Sequence, residues 1–251
     1  NEASTSQSNN TATLNAIGES LSFDGTDDYV SGTATSSLDV STANRLTITA
    51  WVYPASNQTA RLFSHVGTGE HQQYALMLSS GKLYFLSGNG DFEEGGGNTG
   101  SSVLTANQWS FVCMTYDGAA VRLYINGAID FTHEVTDNFT TSYTGEFYIG
   151  RYSGGGQHFN GNLDEIAIWN EAITAAEITA LYNSGVALDA LSNSGNYTSS
   201  ADIKGYWKME EGTGTTLTDL SGYGNNGTIS GATWAMGKKS SSYTNTAKDI
   251  T

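Results

Sequence analysis

A single cysteine, Cys113, among 251 residues has no partner for an intrachain disulfide, so oxidative cross-links are not what holds this chain together. It sits in the apolar run Trp109-Ser110-Phe111-Val112-Cys113-Met114, the setting of a buried small hydrophobe rather than a nucleophile. Proline is as scarce, at one residue, and charged residues make up only 14%. With 30 glycines and abundant Ser, Thr and Asn, that composition describes short strands joined by polar turns and argues against packed helices. Basic residues are few: 10 Lys+Arg against 25 Asp+Glu give a formal charge of −15. Such a chain repels a phosphate backbone and an anionic membrane surface, which excludes nucleic acid as a partner. No apolar stretch approaches the ~20 residues that span a bilayer, so membrane insertion is not expected. The acidity stays compatible with divalent cations, with neutral sugars, or with solubility outside a cell.

What is present is a succession of short apolar or alternating runs separated by Gly, Asn, Asp and Ser: Leu21-Phe23, Leu46-Val52, Arg61-Val66, Tyr74-Leu78, Lys82-Leu86, Trp109-Tyr116, Val121-Ile125, Glu146-Ile149 and Leu163-Trp169. Ser80-Gly81 and Asn126-Gly127 fall between such runs, and the second pair suits a type I′ hairpin. One helix is expected, from Ala175 to about Asn183, because Thr174 and Glu177 make a capping box, Ile178 and Leu181 a stripe, and Gly185 a stop. The predicted organisation is a flexible arm over 1–19, a β-sandwich over 20–185 and a linker over 186–204. A strand-rich tract over 205–236 then completes the sandwich or pairs with a neighbouring subunit, and a polar tail fills 237–251.

The stretches Leu21 to Val30, with its Phe23-Asp24-Gly25 turn, Leu46 to Val52, Trp109 to Gly118, Val121 to Gly127 and Gly161 to Asn170 resemble, in order and spacing, the laminin-G-like, concanavalin A-like lectin/glucanase jelly rolls. The resemblance implies an all-β fold: a two-sheet antiparallel jelly-roll sandwich with one short helix. It also implies an extracellular, cell-surface or virion-surface recognition module that binds a glycan or glycoprotein, or alternatively a structural protein that contacts neighbouring subunits. The Tyr206 to Trp234 tract resembles the family's opening strands, which normally precede the Phe-Asp-Gly segment and here follow it.

Asp24, Asp27 and Asp28 cluster at a strand end, and oxygen-rich groups of this kind suit calcium. By the resemblance, a structural calcium would be held by Asp24 and Asp164, with Asp27 and Asp28 beside them; the same carboxylates serve equally as turn acceptors without metal. The related hydrolases require two carboxylates converging on one cleft. Strand alternation from Glu165 reaches Ala167 and Trp169, and the E-x-D-x-x-E pattern is absent, so no catalytic residues are expected. Aromatic and polar loop residues remain as candidate ligand contacts: His71, Tyr74, Asp91, Phe92, Arg151, Tyr152 and His158.

Overall fold

A computed structural model of the chain describes residues 17–67, 72–87, 98–135, 139 and 145–239. Its strands begin with β1 (Ile17–Asp24), β2 (Tyr29–Thr33), β3 (Leu46–Pro54), β4 (Ala60–Val66), β5 (Gln72–Ser79) and β6 (Lys82–Ser87). These are followed by β7 (Thr99–Val103), β8 (Ser110–Tyr116), β9 (Ala120–Ile125), β10 (Ala128–Glu134), β11 (Glu146–Ile149) and β12 (Asn160–Trp169). After the helix α1 (Ala175–Tyr182) come β13 (Ile203–Trp207), β14 (Thr216–Leu217), β15 (Gly227–Ser230) and β16 (Thr233–Lys239). The first sheet has the order β10-β9-β8-β3-β12-β1-β16, with β13 also paired to β12; the second has the order β14-β15-β2-β11-β4-β5-β6-β7. The result is an all-β, two-sheet antiparallel jelly roll with one short α-helix.

Side-chain alternation sorts the residues between the faces. Leu21 and Phe23 of β1, Val112 and Met114 of β8, and Leu163 and Ile168 of β12 point inward from the first sheet. They meet Leu76 and Leu78 of β5 and Leu83 and Phe85 of β6 in the core between the sheets. Tyr74, expected among the ligand contacts, belongs to this core: it is fully buried and its hydroxyl donates to the Leu38 carbonyl at 2.9 Å. The pleat accounts for the correction, since Tyr74 shares the inward face with Leu76 and Leu78.

The local signals act as the residue types dictate. Asn126 and Gly127 take φ of 52° and 78°, the left-handed pair a type I′ reversal needs between β9 and β10. The Thr174 hydroxyl accepts from Glu177 N while the Glu177 carboxylate accepts from Thr174 N, closing the capping box of α1. The helix ends at Asn183, left-handed with φ 44°, two residues before the expected glycine stop. Among the described residues no helix is long and apolar enough to cross a membrane.

The outer face of the first sheet is sealed by a second apolar cluster. Trp51, Phe111, Cys113, Ala167 and Trp169 from the sheet pack against Ile178 and Leu181 of α1 and against Ala187, Ala190 and Tyr197. Residues 186–204, expected as a linker, therefore form part of this layer. The Trp169 indole donates to the Tyr197 hydroxyl at 3.2 Å and to the Ser199 carbonyl at 3.1 Å, and the Tyr197 hydroxyl donates to the Ala190 carbonyl at 2.6 Å. A few anchors in an otherwise polar stretch suffice, and composition alone hides them.

The tract after residue 204 enters both sheets of its own chain. β13 pairs with β12, β16 with β1, and β15 with β2. Trp207 fills the central core, and its indole donates to the Asn225 carbonyl at 2.8 Å. Asn225, fully buried, in turn accepts from Thr35 N and donates through its side chain to Ser37 Oγ, the Lys204 carbonyl and Asp219 Oδ2. These bonds tie the tract to the segment leaving β2. At the other end, β1 starts at Ile17, inside the stretch expected as an arm, and residues 1–16 and 240–251 lie outside the described residues.

Candidate functional site

The outer face of the second sheet carries polar and aromatic groups in place of an apolar layer. In β4 the register slips between Arg61 and Phe63, so Leu62 and Phe63 both enter the core, while Arg61 and Ser64 stay out of it. Ser64 stands opposite Tyr148 of β11, which also lies beside Ser31 of β2. Past β11, Gly150 turns the chain away with φ 82°; a Cβ there would meet the Phe23 ring at 2.7 Å. The turn delivers the segment Arg151 to Asn160 to the edge of this face.

Two arginines are set among tyrosine rings here. The Arg151 guanidinium lies 3.6 Å from the ring centre of Tyr29 and 4.9 Å from that of Tyr148. Arg61 packs 5.3 Å from the Tyr152 ring centre, and its Nε donates to Gln157 Oε1 at 2.8 Å. Arg61 is only 4% exposed, and burial lowers its pKa to about 10 against the opposing influence of Tyr152 and Tyr84. Among the described residues neither arginine forms an ion pair; the salt bridges there are Arg122–Asp117 and Lys208–Asp189. Arg61 Nη1, Arg151 Nε, Ser64 Oγ and Ser153 Oγ are buried without a hydrogen-bond partner. Orphans of this kind are uncommon in folded proteins, and here they gather on one face. The Tyr148 hydroxyl donates to Glu146, which brings one carboxylate to the rim of this group.

Beside the arginines, where β1 passes into β2, carboxylate oxygens of Asp24, Asp27 and Asp28 lie within 4.8 Å of one another. Asp24 Oδ1 accepts from Thr26 N at 2.7 Å and Asp28 Oδ2 from Asp24 N at 2.9 Å, the local turn bonds expected of such residues. Burial, and then the charges of Asp24 and Asp27, raise the pKa of Asp28 against the opposing bond from Asp24 N. The three side chains form a hard, oxygen-only donor set of the type calcium takes, whose other ligands would be carbonyls and water. His158 links this acidic corner to the arginines: its Nδ1 lies 3.4 Å from the Asp28 carbonyl.

The structure thus gathers Asp24, Asp27, Asp28, Arg151, Tyr152 and His158 at one end of the sandwich, although they come from two separate stretches of sequence. Tyr74 is in the core, and His71, Asp91 and Phe92 lie outside the described residues. Asp164 is elsewhere. Asp24 pairs with Asn160, and Asp164 is four residues farther along β12, about 13 Å at strand rise. It is 1% exposed on the outer face of the first sheet, where its Oδ2 accepts from Lys238 N at 2.8 Å.

In β12 Glu165 lies on the outer face with Ala167 and Trp169, as alternation predicts, and Asp164 joins them there. Glu165 takes φ 51°, and the register against β3 slips between Asp164 and Ala167, so one residue is inserted and both acids leave the core side. Glu165 accepts from the Tyr206 hydroxyl, and burial raises its pKa to about 8. Burial and the neighbouring Glu165 carboxylate raise that of Asp164 well above the usual range. The two acids are adjacent but enclosed, at 1% and 5% exposure. For Arg61, Tyr29 and Tyr148 the sequence offers one signal, a lone cation opening the Arg61–Val66 run.

A two-sheet jelly roll with one face sealed and the other left polar defines the lectin-like class of β-sandwich. Residues 24–179 match the family model of the concanavalin A-like lectin/glucanases superfamily, and the chain belongs to that family. No protein of curated function matches the chain by sequence. Among solved structures it is similar to a candidate carbohydrate-binding protein from Bacteroides ovatus, at 20% identity and a TM-score of 0.65 over 88% of this chain and 60% of that one. It is also similar to a SAP-like pentraxin from Limulus polyphemus, at 21% identity and a TM-score of 0.53 over 66% of this chain and 82% of that one. The chain therefore spans about 60% of the Bacteroides protein's length.

Proposed function

We propose that this chain is a non-catalytic, extracellular recognition module that binds a glycan, or the glycan of a glycoprotein, on the outer face of its second sheet. One observation carries this reading: Tyr29, Tyr148 and Tyr152 surround buried donors and hydroxyls that have no partner in the protein. Aromatic rings offer flat apolar faces to sugar C–H groups, and orphaned polar atoms supply the directional bonds that fix a hydroxylated ligand. The description of the Bacteroides ovatus neighbour points the same way. Calcium at Asp24, Asp27 and Asp28 would stiffen the corner beside this face. A hydrolytic role is disfavoured by the enclosure of Asp164 and Glu165, since glycoside cleavage needs two acids reachable from one cleft. For the alternative of a component of an assembly, the Tyr206 to Trp234 tract is already paired within its own chain, so contacts to neighbouring subunits would fall to other surfaces.

A glycan array tests the proposal, with Tyr152→Ala as the companion variant. Binding to a defined set of glycans, weakened at least about tenfold in the variant, is the expected result. A blank array from protein that melts cooperatively would sink the reading, as would release of reducing sugar abolished by Glu165→Gln.

A further inference from the structure

Arg61 and Arg151 stand on the same face, and among the described residues neither forms an ion pair. A guanidinium withdrawn from water normally keeps a carboxylate, because an uncompensated buried charge is costly. Arg61 has only Gln157 Oε1 on its Nε and the Tyr152 ring on its flank, and its Nη1 is both buried and unpartnered. Arg151 has two tyrosine rings, and its Nε is likewise unpartnered. Ser64 and Ser153 add two orphaned hydroxyls. Each guanidinium thus lies against a tyrosine ring and keeps an N–H without a partner. Fixed planar forks with spare N–H groups match the geometry of carboxylate and sulfate oxygens.

We propose that Arg61 and Arg151 form an anion-reading subsite that selects glycans bearing a carboxylate or a sulfate ester. This rests on the glycan-binding reading above and names the class of sugar. The chain's overall charge of −15 opposes such a ligand at long range, so recognition must come from contact at this subsite rather than from steering.

The test is an array of neutral, uronate-bearing, sialylated and sulfated glycans, followed by titration of each best binder against its methyl-esterified or desulfated form. The two neutralised forms separate carboxylate from sulfate as the anion read. The expected result is that the anionic form binds at least about tenfold more tightly. Arg151→Gln should erase that preference. Arg151→Lys, which keeps the charge but loses the fork, should retain only part of it. Lys204→Gln, removing a cation that packs on Tyr223, should leave it unchanged. Arg151 is half-buried at the edge of the sheet, so its variants should melt as the parent does; that melt is recorded beside each titration. Equal affinity for charged and neutralised forms overturns the subsite while leaving glycan binding intact. No binding to any glycan by folded protein overturns both.

Discussion

The two outer faces of this sandwich follow from the same strand alternation and end in opposite states. On the first sheet, Trp51, Trp169 and their neighbours are capped by α1 and by residues 186–204, so that face becomes a second core. On the second sheet, the equivalent layer is Tyr29, Tyr148, Arg61 and Arg151, with hydroxyls and guanidinium groups left unsatisfied. The sealed face leaves Asp164 Oδ1 and Glu165 Oε1 without partners, but its Glu177 carboxylate accepts from Thr174, Thr198 and Ser199. Folding alone rewards the first arrangement. The second persists at a cost to folding, and such local violations are where a binding function is to be sought.

The comparison breaks most sharply on stability. Trp169→Ala, in the sealed layer, should cost about 3–5 kcal/mol by removing a fully buried indole and its two hydrogen bonds. Tyr152→Ala, on the polar face, should fall within about 1 kcal/mol of the parent, because half-exposed positions away from a packed core are tolerant. Urea unfolding midpoints measure both. Similar losses in the two variants would show that the polar face is a core after all.

A smaller effect is expected at Glu177. Burial pushes its pKa up, but the bonds from Ser199, Thr174 and Thr198 prevail and hold it at about 2, below the ordinary carboxylate value of 4.5. With the folded value depressed, the unfolded chain binds more protons between these limits, so the contribution is complete above pH 4.5 and is lost as pH falls through about 2. Glu177→Gln should destabilise by about 1–3 kcal/mol at pH 7. It should also show a shallower decline in urea midpoint than the parent as the pH is lowered through that window. Parallel declines would remove Glu177 from the account.

The parts of this contrast that sequence could reveal are those written in a period of two. The alternating runs, the Asn126-Gly127 reversal and the Thr174 cap all lie where residue type alone decides the backbone. Irregularities in that period hid the rest. The slip at Leu62 sends two successive residues inward and leaves Arg61 outside the core, and the inserted Glu165 does the converse with Asp164. Neither slip changes the composition of its strand, so counting alternate residues assigns the wrong faces beyond it. The 186–204 stretch was misread for a different reason: Ala187, Ala190 and Tyr197 carry its docking, too sparsely to register as a hydrophobic pattern. Arg151, Tyr152 and His158 were visible as a loop of suitable chemistry, but their meeting with Asp28 depends on strand pairing across the chain.

The smallest effect separates the two faces through their acids. If calcium occupies the Asp24, Asp27 and Asp28 corner, free calcium at about tenfold above its Kd adds roughly 1.4 kcal/mol. For a chain of this length that raises Tm by roughly 2–6 °C. Asp27→Asn removes one exposed carboxylate of the set and should abolish the rise. Asp164→Asn, in the same sheet as Asp24 but about 13 Å along the neighbouring strand, should alter Tm without calcium yet keep the same increment when it is added. The Asp164 variant matters most here, because the family resemblance groups that residue with Asp24 whereas the strand register separates them. An increment lost in Asp164→Asn and kept in Asp27→Asn would move the metal to the sealed face, and with it the explanation for the two unpartnered carboxylate oxygens of Asp164 and Glu165.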